Sequence, residues 1–110
     1  MAYDEDLANR VREQLAEEDA RTEVRMFGGL AFLLHGNMAV AVTHDDLMVR
    51  VGADAAEEAL AQPHVRPMDM NGRTMANWVL VVPPGVEDDT GLARWVAAGV
   101  RYAKSLPPKG

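Results

Sequence analysis

Residues 23–51, EVRMFGGLAFLLHGNMAVAVTHDDLMVRV, decide the fold of this chain, because apolar side chains return there at nearly every second position. That spacing is typical of β-strands, whose side chains point alternately to the two faces of a sheet. Turn-forming residues at 35–37 and 44–46 divide the segment. Links this short leave no room for crossover helices, so we predict a three-stranded antiparallel meander. Its strands are predicted over residues 23–34, 38–43 and 47–51.

The strand patterns also predict which side chains share a face. In the second strand, one face is predicted to hold Met38, Val40 and Val42, and the other Ala39 and Ala41. In the third strand the inward residues are predicted to be Leu47, Val49 and Val51, with Met48 and Arg50 outward.

Two adjacent glycines, Gly28 and Gly29, interrupt the first predicted strand. A phosphate-binding loop needs a glycine-rich turn between a strand and a helix. Here a strand follows and no lysine is near, so we interpret the glycines as a bulge or kink in a long β segment. The preceding Met26 and Phe27 are predicted to be core or interface residues.

Helices and a hairpin surround the meander. Apolar residues at four-residue steps predict a first helix capped by Asp4, and Asp54 is predicted to cap a short helix that ends at Ala61. Asn71-Gly72 is a strong signal for a two-residue hairpin turn between arms at 65–70 and 76–82. Pro67 pushes the first arm to the sheet edge, whereas the apolar second arm is expected to be central.

A final helix is predicted to begin at Asp88 or Asp89, after Pro83-Pro84-Gly85 has ended the last strand. The predicted order is therefore α-β-β-β-α-β-β-α. It corresponds to an α+β fold with two layers, a five-stranded antiparallel sheet and helices packed against it, in a single domain over residues 1–110.

The composition excludes several classes of function. The 110 residues include no cysteine, which removes disulfides, thiolate zinc sites and cysteine nucleophiles and fits a reducing, cytoplasmic compartment. No apolar run approaches about 18 residues, so no membrane association is expected. The net charge of −6 argues against direct nucleic-acid binding. We assign the basic C-terminal patch to the preference of a helix C-terminus for cations; it consists of Arg94, Arg101, Lys104 and Lys109.

Catalytic residues are also scarce. The single serine, Ser105, lies at a predicted helix end without an accompanying G-x-S-x-G motif. The three histidines, His35, His44 and His64, lack the i+3 or i+4 spacing of helical metal ligands, and two of them fall in predicted turns. We therefore expect no catalytic residue, no metal site and no cofactor, and predict that the chain is not an enzyme.

Three arginines on predicted strands or hairpin shoulders, Arg50, Arg66 and Arg73, are the candidate binding residues. On a shared face they would grip a carboxylate, a phosphate or an acidic segment of a partner. The two tryptophans, Trp78 and Trp95, are predicted to be core or interface anchors rather than ligand-stacking residues.

Several phrases together resemble the N-terminal domain of the TfoX/Sxy family. They are Met26-Phe27-Gly28-Gly29, Leu30-Ala31-Phe32, Gly36-Asn37-Met38-Ala39, Leu47-Met48-Val49-Arg50-Val51, Arg66-Pro67-Met68, Gly72-Arg73-Thr74-Met75, Trp78-Val79, Leu92-x-x-Trp95-Val96 and Tyr102-Ala103-Lys104-Ser105-Leu106. The resemblance implies a two-layer fold of the secretion-chaperone type. It also implies a regulator of natural competence that acts with a cyclic-AMP receptor protein on transcription. Those regulators carry a C-terminal helical domain as well, and we expect this chain to be the N-terminal domain alone.

The leading hypothesis is a non-enzymatic regulatory or protein-interaction domain that forms a homodimer and contacts a transcription factor. The run from Leu30 to Leu34 is apolar on both faces, and the small residues Ala31, Ala39 and Ala41 would admit close packing on its second side. The alternative is a small-molecule or anion-binding module that uses the three strand arginines. Direct DNA binding through the basic C-terminal helix is the third hypothesis.

Overall fold

Six β-strands form one antiparallel sheet in this computed structural model, which describes residues 3–18, 20–26, 28–70 and 72–108. The strands are β1 (Arg21–Met26), β2 (Gly29–Leu34), β3 (Asn37–Thr43), β4 (Asp46–Arg50), β5 (Val65–Met70) and β6 (Arg73–Val81), in the spatial order β1-β2-β3-β4-β6-β5. The helices are α1 (Glu5–Gln14), α2 (Ala53–Leu60), α3 (Pro83–Val86) and α4 (Asp89–Ser105). The α+β class with an antiparallel sheet is thus confirmed, whereas the prediction of five strands was wrong.

The segment predicted as one strand over residues 23–34 is two strands, β1 and β2, which pair antiparallel along their whole length. Gly28 has a φ of +72°, which glycine adopts at little cost, and so it serves a chain reversal rather than a bulge. Gly29 packs so closely on β3 that an added Cβ would overlap the carbonyl oxygen of Val42. The meander therefore has four strands. Phe27, between the two strands, lies outside the described residues.

A bulge in β3 changes the predicted alternation. Phe32 pairs with Val40, but the next residue, Leu33, pairs with Met38, so Ala39 is an extra residue on β3. Met38 consequently shares a face with Leu33 rather than with Val40. The alternation of β4 agrees with the prediction, since its inward residues join the helix-side core.

The helix boundaries test the capping predictions. Asp4 caps α1, because its Oδ1 accepts hydrogen bonds from the backbone N–H of two residues in the first turn. Asp88 caps α4 by accepting from the N–H of Gly91 at 2.8 Å. The predicted cap of α2 was wrong: the helix begins after Gly52, which has a φ of +86°, and Asp54 lies in its first turn. The short α3 was not predicted, although proline suits a first helical turn.

The β5–β6 hairpin agrees closely with its prediction. β5 has the predicted bounds and lies at the sheet edge, where Pro67 costs no central ladder hydrogen bond. β6 lies between β4 and β5, as expected of an apolar strand, but it begins earlier than predicted, at Arg73. Gly72 has a φ of +76° in the connecting turn, and Asn71 lies outside the described residues.

The main core lies between the helices and one face of the sheet. Its fully buried strand residues alternate along β2, β3, β4 and β6: Phe32, Val40, Val42, Leu47, Val49, Val79 and Val81. Trp95 of α4 joins this core at 6% exposure, in agreement with its predicted role as an anchor. Gly99 lets α4 approach β3, since a Cβ there would lie 3.0 Å from the carbonyl carbon of Ala39. Within the described ranges, none of the helices combines the length and apolar character that crossing a bilayer requires.

Candidate functional site: the outer face of the sheet

A second apolar cluster lies on the face of the sheet opposite the helix-side core, and we call this surface the outer face. The described members of the cluster all belong to strands: Met26, Ala31, Leu33, Met38, Ala41, Met48, Met68, Met75, Trp78 and Leu80. They alternate along β2, β3, β4 and β6 with the residues of the main core, as side chains on opposite faces of a pleated sheet must. The sheet is therefore apolar on both faces.

The strand register builds the outer face as a continuous row across the sheet. Residues directly opposite each other on antiparallel strands share a face, so one row runs through Val24, Ala31, Ala41, Met48, Leu80 and Arg66. The centre of the row is buried, whereas Val24 at one end is 39% exposed and Arg66 at the other end is exposed as well. The row thus places an apolar strip between two accessible sheet edges.

Methionine dominates the outer face. Five of the seven methionines of the chain are described members of its cluster, one from each of β1, β3, β4, β5 and β6. Met48 is fully buried, while Met26, Met38 and Met75 are half-buried at the rim. Methionine has a flexible, polarizable side chain, and it is used heavily where a surface must adapt to a protein partner. The rim is therefore apolar, accessible and deformable.

Trp78 anchors the outer face at 8% exposure and lies opposite Arg50 in the sheet. Its position agrees with the prediction of a core or interface residue, and it places the indole in the second cluster rather than in the helix-side core. The bulge at Ala39 adds Met38 to this face, which the sequence pattern had assigned to the other side. The repeated methionines were a signal for the outer face that sequence reasoning missed.

The structure does not bring the guanidinium groups of the three candidate arginines together in one site. By register, Arg50 and Arg66 share the outer face, but the Arg50 guanidinium carbon lies 5.4 Å from the centre of the Tyr102 ring on α4. The Nε of Arg50 is buried, with no hydrogen-bond partner in the part of the chain described here. Arg73 is exposed where β6 leaves the hairpin turn. The predicted anion-binding role of these arginines stays a prediction.

Asp46 is the first residue of β4, two residues before Met48, and it adds an acidic group at the edge of the outer face. Burial raises the pKa of the Asp46 carboxyl, and the neighbouring charge of Asp45 raises it further. His44 and Arg66 act in the opposite direction and lower this pKa. By register, Arg66 lies in the same row as Met48, so this part of the outer face carries both signs of charge.

The residues considered for catalysis lie apart from the outer-face cluster. His35, His44 and His64 are exposed residues with positive φ values of 52°, 52° and 65°, all outside the helices. Ser105 donates its hydroxyl to the carbonyl oxygen of Tyr102 at 2.6 Å, in the last turn of α4. His35 and His64 lie in turns, His44 forms an isolated β-bridge with Tyr3, and Ser105 lies at a helix end.

Comparisons with known proteins address the family. A family model described as the TfoX N-terminal domain matches residues 13–103. No match was found among curated proteins, and none among solved structures. The matched span contains the whole sheet, including the described outer-face residues and the phrases from Met26 to Trp95 that carried the resemblance. Because the match covers most of the 110 residues, the chain belongs to the TfoX N-terminal domain family.

Proposed function

We propose that this chain is a non-enzymatic regulatory domain that works by binding protein through its outer face. The observation that carries the proposal is the methionine-rich apolar cluster built from strands alone. The centre of this cluster is already buried within the chain, and its accessible part is the half-buried rim formed by Met26, Leu33, Met38 and Met75. Further burial of this apolar rim against a partner is favourable. Half-buried methionines at the rim allow that surface to repack on contact.

The partner we propose for the outer face is a second copy of this chain. Most soluble assemblies are symmetric homo-oligomers, and two-fold dimers with self-complementary contacts are the commonest. The apolar strip suits such a contact, and the corner that holds Asp46 and Arg66 carries both signs of charge. A two-fold arrangement can therefore pair opposite charges of the two copies around a shared apolar centre.

The regulatory part of the proposal rests on the family. TfoX/Sxy regulators are thought to act on transcription with a cyclic-AMP receptor protein, and we propose a transcription factor as the further partner of the dimer in the cytoplasm. The net charge of −6 favours a protein partner over direct contact with DNA, since nucleic-acid binding relies on cationic residues.

Light scattering after size-exclusion chromatography tests the dimer. At about 50 µM protein, above the dissociation constant of a moderately stable dimer, we expect twice the 12.0 kDa mass of the chain. Leu33→Glu and Met75→Glu place a charge on the half-buried rim and are expected to give monomers with an unchanged circular dichroism spectrum. Ala97→Glu, at an exposed position of α4, is the matched control and should leave the dimer intact.

A monomer mass for the wild type would refute the dimer, whereas a dimer that both rim variants leave unchanged would refute the outer face as its interface. Binding of the purified cyclic-AMP receptor protein from the source organism tests the regulatory part separately. We expect wild type and Ala97→Glu to bind it equally. Absence of binding by both would refute this partner while leaving the dimer standing.

A further inference from the structure

A groove between α2 and α4 lies in the helix layer, away from the outer face. Its volume is about 510 Å³, within the range of about 300–1,000 Å³ that small-molecule sites occupy. The apolar part of its lining comes from Val51, Ala59, Trp95 and Ala98. These side chains also belong to or pack on the main core, so the floor of the groove is held by the fold itself.

Two aromatic rings in the groove lining are fixed by neighbouring groups. The guanidinium carbon of Arg94 lies 5.2 Å from the centre of the Trp95 ring. The Tyr102 ring lies beneath the Arg50 guanidinium and so close to Gly52 that a Cβ there would be 2.5 Å from its Cε1. Cation–π contacts and close backbone packing restrict both rings. The groove is therefore largely preformed, which lowers the entropy cost of binding.

The charge of the groove is opposite to that of the chain. Arg94 and Arg101 both line it and are seven residues apart on α4, which places them on one face of the helix about 10 Å apart along its axis. In the described part of the chain, neither of these guanidinium groups has a carboxylate oxygen within 4.0 Å. The ion pairs of the described residues are formed by other side chains. Glu58 is the single acid among the described lining residues. The groove therefore combines two guanidinium groups with an apolar lining.

We propose that this groove binds a small organic anion with a flat apolar body. The body would lie against Trp95 and Ala98, and its carboxylate, sulfonate or phosphate would meet Arg94 or Arg101. A guanidinium forms charge-assisted, often bidentate hydrogen bonds with such planar anions. The site differs from the strand-arginine site considered above, because its cations come from α4, and it does not depend on the outer face or on dimer formation.

The first test compares two ligands that differ in charge. Titration with 2-naphthoate, followed by amide chemical shifts, should give saturable binding with shifts centred on α2 and α4. The neutral analogue 2-naphthalenemethanol should bind at least about tenfold more weakly, since it cannot form the charge-assisted contact. The double variant Arg94→Gln/Arg101→Gln should reduce the affinity for 2-naphthoate to that for the alcohol.

The second test fills the groove. Ala55 is exposed on α2 and lines the groove, so Ala55→Trp should abolish binding of 2-naphthoate. Ala53→Trp changes another exposed alanine of the same helix, outside the lining, and should leave the affinity unchanged. No saturation up to about 10 mM, equal affinity for the two ligands, or binding that survives Ala55→Trp would each overturn the proposal. Shifts centred on the outer-face strands would also overturn it. Because the described lining of the groove shares no residue with the outer-face cluster, this result is independent of the dimer experiment.

Discussion

Gly28 and Gly29 are adjacent in the sequence, yet the structure requires glycine at each position for a different reason. Gly28 has a φ of +72° and open space where a Cβ would stand, whereas Gly29 has an ordinary φ and no such space. Replacement of each glycine by alanine should therefore destabilise the protein by different amounts, and further replacement by asparagine should separate the two causes.

At Gly28 the cost is conformational. A left-handed backbone costs an L-residue about 1–2 kcal/mol, and the lower entropy of the unfolded alanine chain offsets roughly 0.4–1 kcal/mol of that. We expect Gly28→Ala to lower the free energy of unfolding by about 1 kcal/mol. Gly28→Asn should cost less, because asparagine tolerates the left-handed region better than alanine does.

At Gly29 the cost is steric. An added Cβ would overlap the carbonyl oxygen of Val42 and lie 3.0 Å from its carbonyl carbon, whereas ordinary contact begins at 3.4 Å. Both atoms are backbone, so β2 and β3 must separate where Leu30 pairs with Val42. Overpacking of this kind costs about 1–3 kcal/mol and more when the backbone cannot move, so we expect about 3 kcal/mol for Gly29→Ala. Gly29→Asn should cost more still.

Equilibrium urea unfolding followed by tryptophan fluorescence measures these differences, with Trp78 reporting the outer face and Trp95 the helix-side core. All variants are compared at one protein concentration, because the proposed dimer would make the midpoint concentration-dependent. A larger loss for Gly28→Ala than for Gly29→Ala would refute the reasoning. A Gly28→Asn variant less stable than Gly28→Ala would refute the assignment of Gly28 to a left-handed turn.

Three further changes test the helix packing, a cap and an ion pair. Gly99→Ala should lose about 1–2 kcal/mol of stability in urea unfolding because its Cβ would press on the β3 backbone, although helix propensity alone predicts a gain of about 1 kcal/mol. The control Ala97→Gly, at an exposed position of the same helix, measures the contribution of helix propensity. A Gly99→Ala variant more stable than wild type would contradict the close approach of α4 to β3. Asp4→Ala should lower the thermal midpoint through a loss of about 1 kcal/mol, and Asp4→Asn should restore most of it, as an N-cap requires. The hydrogen bond from Arg12 lowers the pKa of Glu23, so the ion pair stabilises the fold above the ordinary glutamate pKa, and this stabilisation is lost as the pH falls through the lowered pKa. Wild type should therefore be more stable than Glu23→Gln by less than about 1 kcal/mol near neutral pH, and this difference should disappear on acidification. A difference that stays constant with pH would exclude the ion pair as its source.

The candidate sites were predictable from the sequence to different degrees. Trp78 was expected to be an anchor, but its place on the outer face depends on its strand pairing opposite Arg50. Met38 was assigned to the wrong face, because a one-residue bulge reverses the alternation and leaves little trace in the apolar pattern. The groove was not predicted at all, since the β5–β6 hairpin separates α4 from Val51 and α2 in the sequence, and α4 meets them only in the tertiary structure.

The sequence alone determined what depends on neighbouring residues: the β-strand alternation, the caps at Asp4 and Asp88, and the edge position that Pro67 imposes on β5. These features follow from side-chain period, local hydrogen bonds and a missing N–H, all of which act within a few residues. Only the tertiary structure decided that residues 23–34 fold back as two strands. In the sequence, a glycine pair permits either a kink or a chain reversal. The folded arrangement selects the reversal, and the close packing of Gly29 on β3 is one of the contacts between separate segments that belong to it.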